Sequence, residues 1–259
     1  MVIERVTLKQ IQLTVIQIDN YGPWTNTLGS DREHQLQILQ SNLYSLLQES
    51  FAAKNGLVFF NRFDEMLAVT NGITEEEHLE IQKQVREQFP ISVSMGIGVA
   101  ETPFEAQMKA SKLLQKAGSA QSIDRINVLA CTRTLRLTEA YVQVIHVDVD
   151  GITRNMTDQA SAFETSLNVM SVYADLMRLF RQHGALLFFV GGDNFMGVAN
   201  GVSVDLIGAV LQGYMSENLQ LKCGVGIAAT GRKAAELATM NLELIRNERN
   251  NFILTASSL

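Results

Sequence analysis

Leu187-Phe188-Phe189-Val190-Gly191-Gly192-Asp193-Asn194-Phe195 is an apolar run, a glycine-rich turn and the start of a second apolar run, the pattern of a β-hairpin. The second run ends at Ala199-Asn200-Gly201. An earlier stretch repeats the pattern: Val58-Phe59-Phe60, then Asp64, then Thr70-Asn71-Gly72, at an offset of 193 − 64 = 129 residues. Two further pairs lie at nearly the same distance. Val15-Ile16-Gln17-Ile18-Asp19 parallels Val144-Ile145-His146-Val147-Asp148, with 148 − 19 = 129. Gly96-Ile97-Gly98-Val99-Ala100 parallels Gly224-Val225-Gly226-Ile227-Ala228, with 224 − 96 = 128. Three matches at one spacing predict a duplicated unit.

Outward from the hairpin, both copies read alike. A β-rich run (residues 11–19 and 141–148) precedes a polar loop and a long helix. The helical stripe is Leu36, Leu39, Leu43, Leu46 and Leu47 in the first copy. In the second it is Phe163, Leu167, Met170, Tyr173, Met177 and Phe180. After the hairpin come a helix, a glycine-containing strand, another helix and a short closing strand, Asn127–Ala130 or Phe252–Leu254. The order β-α-β-β-α-β is the split βαβ, or ferredoxin-like, plan. The expected fold is α+β, with two tandem ferredoxin-like βαββαβ units over residues 1–130 and 131–259. Residues 118–140, with Gly, Ser and charges, are expected to link them.

Composition narrows the class. With 259 residues and 46% hydrophobic content the chain can bury two cores, and 19% charged residues argue against disorder. A net charge of −6 argues against broad binding to nucleic acid or anionic membrane. The N-terminal MVIERVTLKQIQL has no apolar core, so no signal peptide is expected. No run approaches ~20 apolar residues, so no membrane span is expected. Cys131 and Cys223 stand 223 − 131 = 92 positions apart, which suits a cytoplasmic protein without a disulfide framework.

The carboxylates carry the chemistry. Asp148 ends the first strand of copy two, and Asp193 sits in the hairpin turn. In the split βαβ plan these elements adjoin, so the two carboxylates face one another at a sheet edge. Like charges that close repel and invite a divalent cation. Mg²⁺ prefers oxygen ligands and is often completed by substrate phosphates. Gly191 and Gly192 free the turn for close approach. Asp150 shares the face of Asp148, and the turn Val149-Asp150-Gly151-Ile152 can aim N–H groups at phosphate. A Gly-Gly-Asp turn also serves as a plain β-turn, and a strand-terminal Asp as a cap. Both aspartates recur at the same offset in copy one, as Asp19 and Asp64, which favours metal binding. Copy one reads Asn61-Arg62-Phe63-Asp64-Glu65, and Phe63 at the place of Gly192 blocks close approach. Copy two is therefore the better cradle. Copy one keeps a metal pair of its own, lends residues elsewhere or is a relic.

The hairpin Gly191-Gly192-Asp193-Asn194-Phe195, preceded by His146-Val147-Asp148-Val149-Asp150, resembles palm-type nucleotidyl cyclases, including the diguanylate cyclases with their GG(D/E)EF signature. Asn194 replaces an acid of that signature, and no upstream sensor is expected. A closer resemblance spans nearly the whole chain. Thr14-Val15-Ile16-Gln17-Ile18-Asp19-Asn20-Tyr21-Gly22-Pro23-Trp24-Thr25, Gly56-Leu57-Val58-Phe59-Phe60 with Arg62-Phe63-Asp64, and Ala185-Leu186-Leu187-Phe188-Phe189 before Gly191-Gly192-Asp193-Asn194-Phe195-Met196 look like the archaeal-type GTP cyclohydrolase III family. Glu101-Thr102-Pro103, Glu105-Ala106-Gln107 and Gly118-Ser119-Ala120-Gln121 fit it too.

That resemblance implies a palm-like tandem repeat and a Mg²⁺-dependent enzyme, with two ions expected. It implies hydrolytic opening of the imidazole ring of GTP with the formyl group kept and two phosphates removed. It further implies K⁺ or a similar monovalent activator and a homo-oligomer, dimer or tetramer, with neither nucleic acid nor membrane as partner. Asp148, Val149 and Asp193, with Asp19 and Asp64 in copy one, are then the expected metal ligands. Asp150, Asp19 and Asp64 are candidate bases. Cys131, Cys223, His34, His78, His146 and His183 lack zinc-ligand spacing. Lys222 and Arg154 either reach phosphate or stay solvated. Asn20, Asn155, Asp158 and Asn194 either read guanine edges or serve as caps and turns. Trp24, with Tyr21 and Pro23, stacks on a base or forms a surface cluster. The rival readings are a nucleotidyl cyclase and a non-catalytic GTP sensor.

Overall fold

A computed structural model describes residues 10–150, 160–216, 219–247 and 252–259, with only the backbone of Asp150. Two compact units divide between Ala140 and Tyr141, and Thr102–Phe104 group with the second.

The first unit runs β1 (Ile11–Ile18), α1 (Tyr21–Asn26), α2 (Glu33–Ala53), β2 (Leu57–Arg62), β3 (Glu65–Val69), α3 (Glu75–Gln88), β4 (Val93–Ala100), α4 (Pro103–Lys116) and β5 (Leu129–Cys131). The second runs β6 (Val142–Asp150), α5 (Ala162–Gln182), β7 (Leu186–Gly191), β8 (Asn194–Val198), α6 (Val204–Tyr214), β9 (Gln220–Ala228), α7 (Gly231–Asn247) and β10 (Ile253–Ser257). The sheets are ordered β2-β3-β1-β4-β5 and β10-β9-β6-β8-β7, so the same five-strand topology occurs twice. This is the expected α+β repeat. Helix starts follow local chemistry: Thr74 with Glu77, and Ser161 with Glu164, close capping boxes on α3 and α5.

Each sheet is covered on both faces, one helix layer more than the plain ferredoxin plan. In the second unit Ile145, Val147 and Val149 of β6 join a core with Val169, Leu176 and Phe180 of α5 and Ile207 and Leu211 of α6. The alternate residues His146 and Asp148 turn toward α7, where His146 Nδ1 lies 3.0 Å from Thr239 Oγ1. Helix α7 is the crossover between β9 and β10, which pair in parallel. It sits unusually near the sheet. A Cβ on Gly224 would stand 1.9 Å from the Ala238 carbonyl oxygen, and one on Gly226 2.0 Å from that of Ala234. Gly96 and Gly98 seat α4 in the same way, with the Ala110 and Ala106 oxygens at 2.5 and 2.0 Å. The repeated glycines of the sequence are helix seats.

The register corrects one detail of the repeat. Gly96 faces Val15, and its counterpart Gly224 faces His146. Val15 therefore matches His146, an offset of 146 − 15 = 131. Side chains agree: the Gln12 N–H donates to Asn71 Oδ1 at 2.8 Å, and the Gln143 N–H to Asn200 Oδ1 at 3.0 Å. Hence Asp148 matches Gln17, and Asp19 matches Asp150. A strand has a side-chain period of two, so an apolar run looks alike after a two-residue slip.

Two other expectations shift. In α5 the buried stripe is Val169, Val172, Leu176 and Phe180, while Phe163, Leu167, Met170 and Met177 are exposed. The helix carries two adjacent apolar stripes, and periodicity alone does not choose between them. Residues 118–140 are more than a link, because they contain β5 and place Arg125 inside the first unit.

Gly224→Ala is expected to lower unfolding stability by about 3 kcal/mol, since backbone rather than a pliable side chain blocks the new methyl. Gly213→Ala, with nothing within 4 Å of its Cβ position, should change it by no more than about 1 kcal/mol; urea unfolding separates the two. His78 gives a pH test. It is fully buried, with Nε2 2.8 Å from Thr14 Oγ1 and Nδ1 2.6 Å from the Thr74 carbonyl oxygen. Burial outweighs these contacts and lowers its pKa to about 4. Between pH 6.5 and 4 the unfolded chain takes up the proton first, so stability falls as the pH drops through that window. The loss at this site is about 3 kcal/mol by pH 4. Comparing urea midpoints of wild type and His78→Gln across that range should show a flatter profile in the variant.

Candidate functional site

The end of β6 gathers the polar groups of the second unit. Asp148 pairs across the sheet with Asn194 on one side and Lys222 on the other. Residues directly opposite share a face, so all three lie on the α7 side. The Val149 N–H donates to the Asp193 carbonyl oxygen at 3.1 Å, which pins the hairpin turn against β6. The close seat of α7 brings Arg246, in its last turn, over this edge. Arg246 Nη2 donates to Asp148 Oδ1 at 2.5 Å, and Nε to Oδ2 at 3.3 Å. The same Nη2 donates to Asn194 Oδ1 at 3.1 Å, and Asn194 Nδ2 donates to Asp193 Oδ1 at 2.9 Å. Asp193, Asn194, Arg246 and Asp148 thus form one chain of contacts.

Electrostatics agree with that geometry. The hydrogen bond that Arg246 donates to Asp148 raises the Arg246 pKa, and the charges of Asp148 and Asp193 add to it. Both carboxylates therefore act on the same cationic point. His146 is shifted down, first by burial and then by the Arg246 charge. At the turn Gly191 and Gly192 have φ of +116° and +61°, a conformation that favours glycine. A Cβ on Gly191 would meet nothing within 4 Å, so the outer side of the turn is open to a ligand.

The first unit is built differently at the same place. Asp19 is buried and accepts from four donors: Ser92 Oγ at 2.7 Å, Ser94 Oγ at 2.6 Å, Arg125 Nη2 at 3.4 Å and the Asn127 N–H at 2.7 Å. Asp64 lies on the other flank of β1, in the β2–β3 turn, with Arg62 Nε at 3.6 Å. Asp19 is thus engaged on its β4 flank and Asp64 with Arg62, while the Ile18 N–H donates to the Asp64 carbonyl oxygen at 3.1 Å. Gln17, the counterpart of Asp148, donates to Glu65 Oε2 at 2.5 Å and accepts from Arg125 Nη1 at 3.0 Å. A pocket bordered by Gln17, Tyr21, Arg62, Asp64 and Gln121 holds about 80 Å³, well below the ~300 Å³ of typical ligand sites. Phe63 stands exposed beside the turn. Asn20 adopts a left-handed conformation ahead of α1, and its N–H donates to the Ala120 carbonyl oxygen at 2.8 Å. Tyr21 and Trp24 pack on the core, and Tyr21 Oη accepts from Gln40 at 2.5 Å.

Of the remaining candidates, Gly151, Ile152, Arg154, Asn155 and Asp158 lie outside the described residues, as does the side chain of Asp150. Among the described residues no three His, Cys, Asp or Glu side chains converge to hold a metal. The oxygen donors Asp148 and Asp193 nevertheless suit a hard dication, because the cationic Arg246 is hydrogen-bonded to Asp148 and also feels the charge of Asp193. The two arginines escaped the sequence reading. Each follows its unit's last helix or ends it, yet 246 − 125 = 121 departs from the repeat offset.

The duplicated sheets and the acidic strand edge of the second unit define a tandem palm-type α+β protein. The family model described as GTP cyclohydrolase III matches residues 12–258. The chain belongs to that family. It is 51% identical over 237 residues to "GTP cyclohydrolase III" of Methanothermobacter thermautotrophicus, covering 91% of this chain and 94% of that protein. It is 47% identical over 242 residues to the protein of the same name from Methanocaldococcus jannaschii, covering 92% and 89%. Among solved structures, the active GGEEF domain of a diguanylate cyclase from Vibrio cholerae aligns with 49% of this chain and 85% of its own length. At 16% identity and a TM-score of 0.37 it is too distant to add to this assignment.

The two strand-end aspartates should respond differently to loss of charge. Asp19→Asn leaves buried Arg125 without its counterion and is expected to lower stability by about 3 kcal/mol. In Asp148→Asn the half-exposed Arg246 turns to water, and the loss should stay near or below about 1 kcal/mol. Chemical unfolding of the two variants provides the comparison.

Proposed function

We propose that this chain hydrolyses GTP to 2-amino-5-formylamino-6-(5-phosphoribosylamino)pyrimidin-4(3H)-one and two phosphates, as a Mg²⁺-dependent cyclohydrolase. The observation that carries the reading is membership of the family across residues 12–258. The acid and cation cluster at the end of β6 supports it. Three waters are consumed: one opens the imidazole ring without loss of formate, and two release the phosphates.

The site of the second unit is the working one. Asp148 and Asp193, with the Val149 carbonyl, would hold Mg²⁺, and two ions are proposed. Bound there, Mg²⁺ neutralises triphosphate charge and polarises water. The residues of the chain do the rest. The open Gly191-Gly192 turn admits the phosphates, and Lys222, opposite Asp148, offers them a positive charge. Asn194 holds Asp193 in place through its Nδ2 and offers an amide to a guanine edge. Activation by K⁺ and assembly into a dimer or tetramer are proposed as well; the exposed stripe Phe163, Leu167, Met170 and Met177 supports association. The free thiols Cys131 and Cys223 support a cytoplasmic location.

Incubation with GTP and Mg²⁺ should abolish the purine absorbance and release two phosphates for each GTP. A cyclic nucleotide with diphosphate would mark a cyclase, and bound, unchanged GTP a sensor; either result rejects the proposal. Asp193→Asn should lower turnover by about a hundredfold or more in a folded protein. Near-normal turnover would remove Asp193 from the metal site.

A further inference from the structure

An arginine meets the end of the first strand in both units, at Gln17 and Asp19 in the first and at Asp148 in the second, but the two arginines are held very differently. Arg125 and Asp19 are each only 2% exposed at the side chain. Arg125 is fixed further by the Gln17 side chain and the Gly118 carbonyl oxygen, at 3.0 and 3.5 Å. It is a permanent brace. Arg246 is 42% exposed, while its partner Asp148 is 11% exposed. Its Nε and Nη2 cover both oxygens of Asp148, and its Nη2 also reaches Asn194. A guanidinium so placed fills the position a dication would need at that carboxylate. It stands in the last turn of α7 with water on its other side, so it can swing away at small cost, as exposed ion pairs do.

We infer that Arg246 is an internal counterion that holds Asp148 in the metal-free chain and yields the carboxylate when a divalent cation enters. This rests on the metal reading proposed above. Arg246 then acts as a positioning residue. It keeps Asp148 oriented and screened from Asp193 until loading, and it sets a threshold for metal binding. In the first unit Gln17 replaces the acid and Arg125 is locked, so no such exchange takes place there.

Removing Arg246 should therefore tighten metal binding, whereas removing a merely structural brace would loosen it. Mn²⁺ binding to the full chain without nucleotide, read by electron paramagnetic resonance, tests this. Arg246→Gln should bind Mn²⁺ about three- to tenfold more tightly than wild type, Arg246→Lys should fall between them, and Asp148→Asn should lose most binding. Circular dichroism of each variant checks the fold, and Arg246→Lys keeps the comparison open should Arg246→Gln unfold. Equal or weaker binding by the folded Arg246 variants, with binding still dependent on Asp148, overturns the counterion role alone. No binding by wild type, or binding indifferent to Asp148→Asn, overturns the metal reading and the counterion role together.

Discussion

The candidate site depends on how near one helix lies to one strand. Gly224 and Gly226 remove the side chains that would hold α7 away from β9, and backbone meets backbone. Only at that distance does the last turn of α7 deliver Arg246 to Asp148 on the neighbouring strand β6. A larger residue at either glycine would lift the helix and separate the two charges. The polar chain from Asp193 through Asn194 and Arg246 to Asp148 is therefore a consequence of packing several residues away.

The same architecture, used twice, gives two outcomes. Both sheets seat a helix on paired glycines, and both bring an arginine to the end of the first strand. In the first unit serines at 92 and 94 and the Asn127 N–H enclose Asp19 and bury the pair. In the second unit Gln220 and Lys222 occupy the places facing Asp150 and Asp148. Small hydroxyls close a site, whereas a long cationic side chain opposite an acid leaves it charged and partly wet. The repeated topology thus carries a buried ion pair in one unit and a partly exposed one in the other.

Much of the fold was legible because glycines, turns and apolar runs obey local rules. The hairpin at Gly191-Gly192, the glycine strands and the closing strands all stand where turn chemistry and periodicity place them. Three features were not legible. The two-residue slip of the first strand is invisible to apolar alternation and emerges from the strand register and the matching Gln12–Asn71 and Gln143–Asn200 bonds. The buried stripe of α5 was ambiguous because its neighbour is equally apolar. Arg125 and Arg246 carry no local motif, and their partners are 106 and 98 residues distant in the chain. Long-range polar pairs of this kind follow from topology, not from spacing.

On the function proposed here, the second unit alone would hold metal and triphosphate, at Asp148 and Asp193. Anomalous diffraction from a crystal grown with Mn²⁺ and a non-hydrolysable GTP analogue examines it directly. Metal peaks within ligand distance of Asp148 and Asp193, with none at Asp19 or Asp64, are expected. Peaks confined to the first unit, or triphosphate bound away from the Gly191-Gly192 turn, would contradict it.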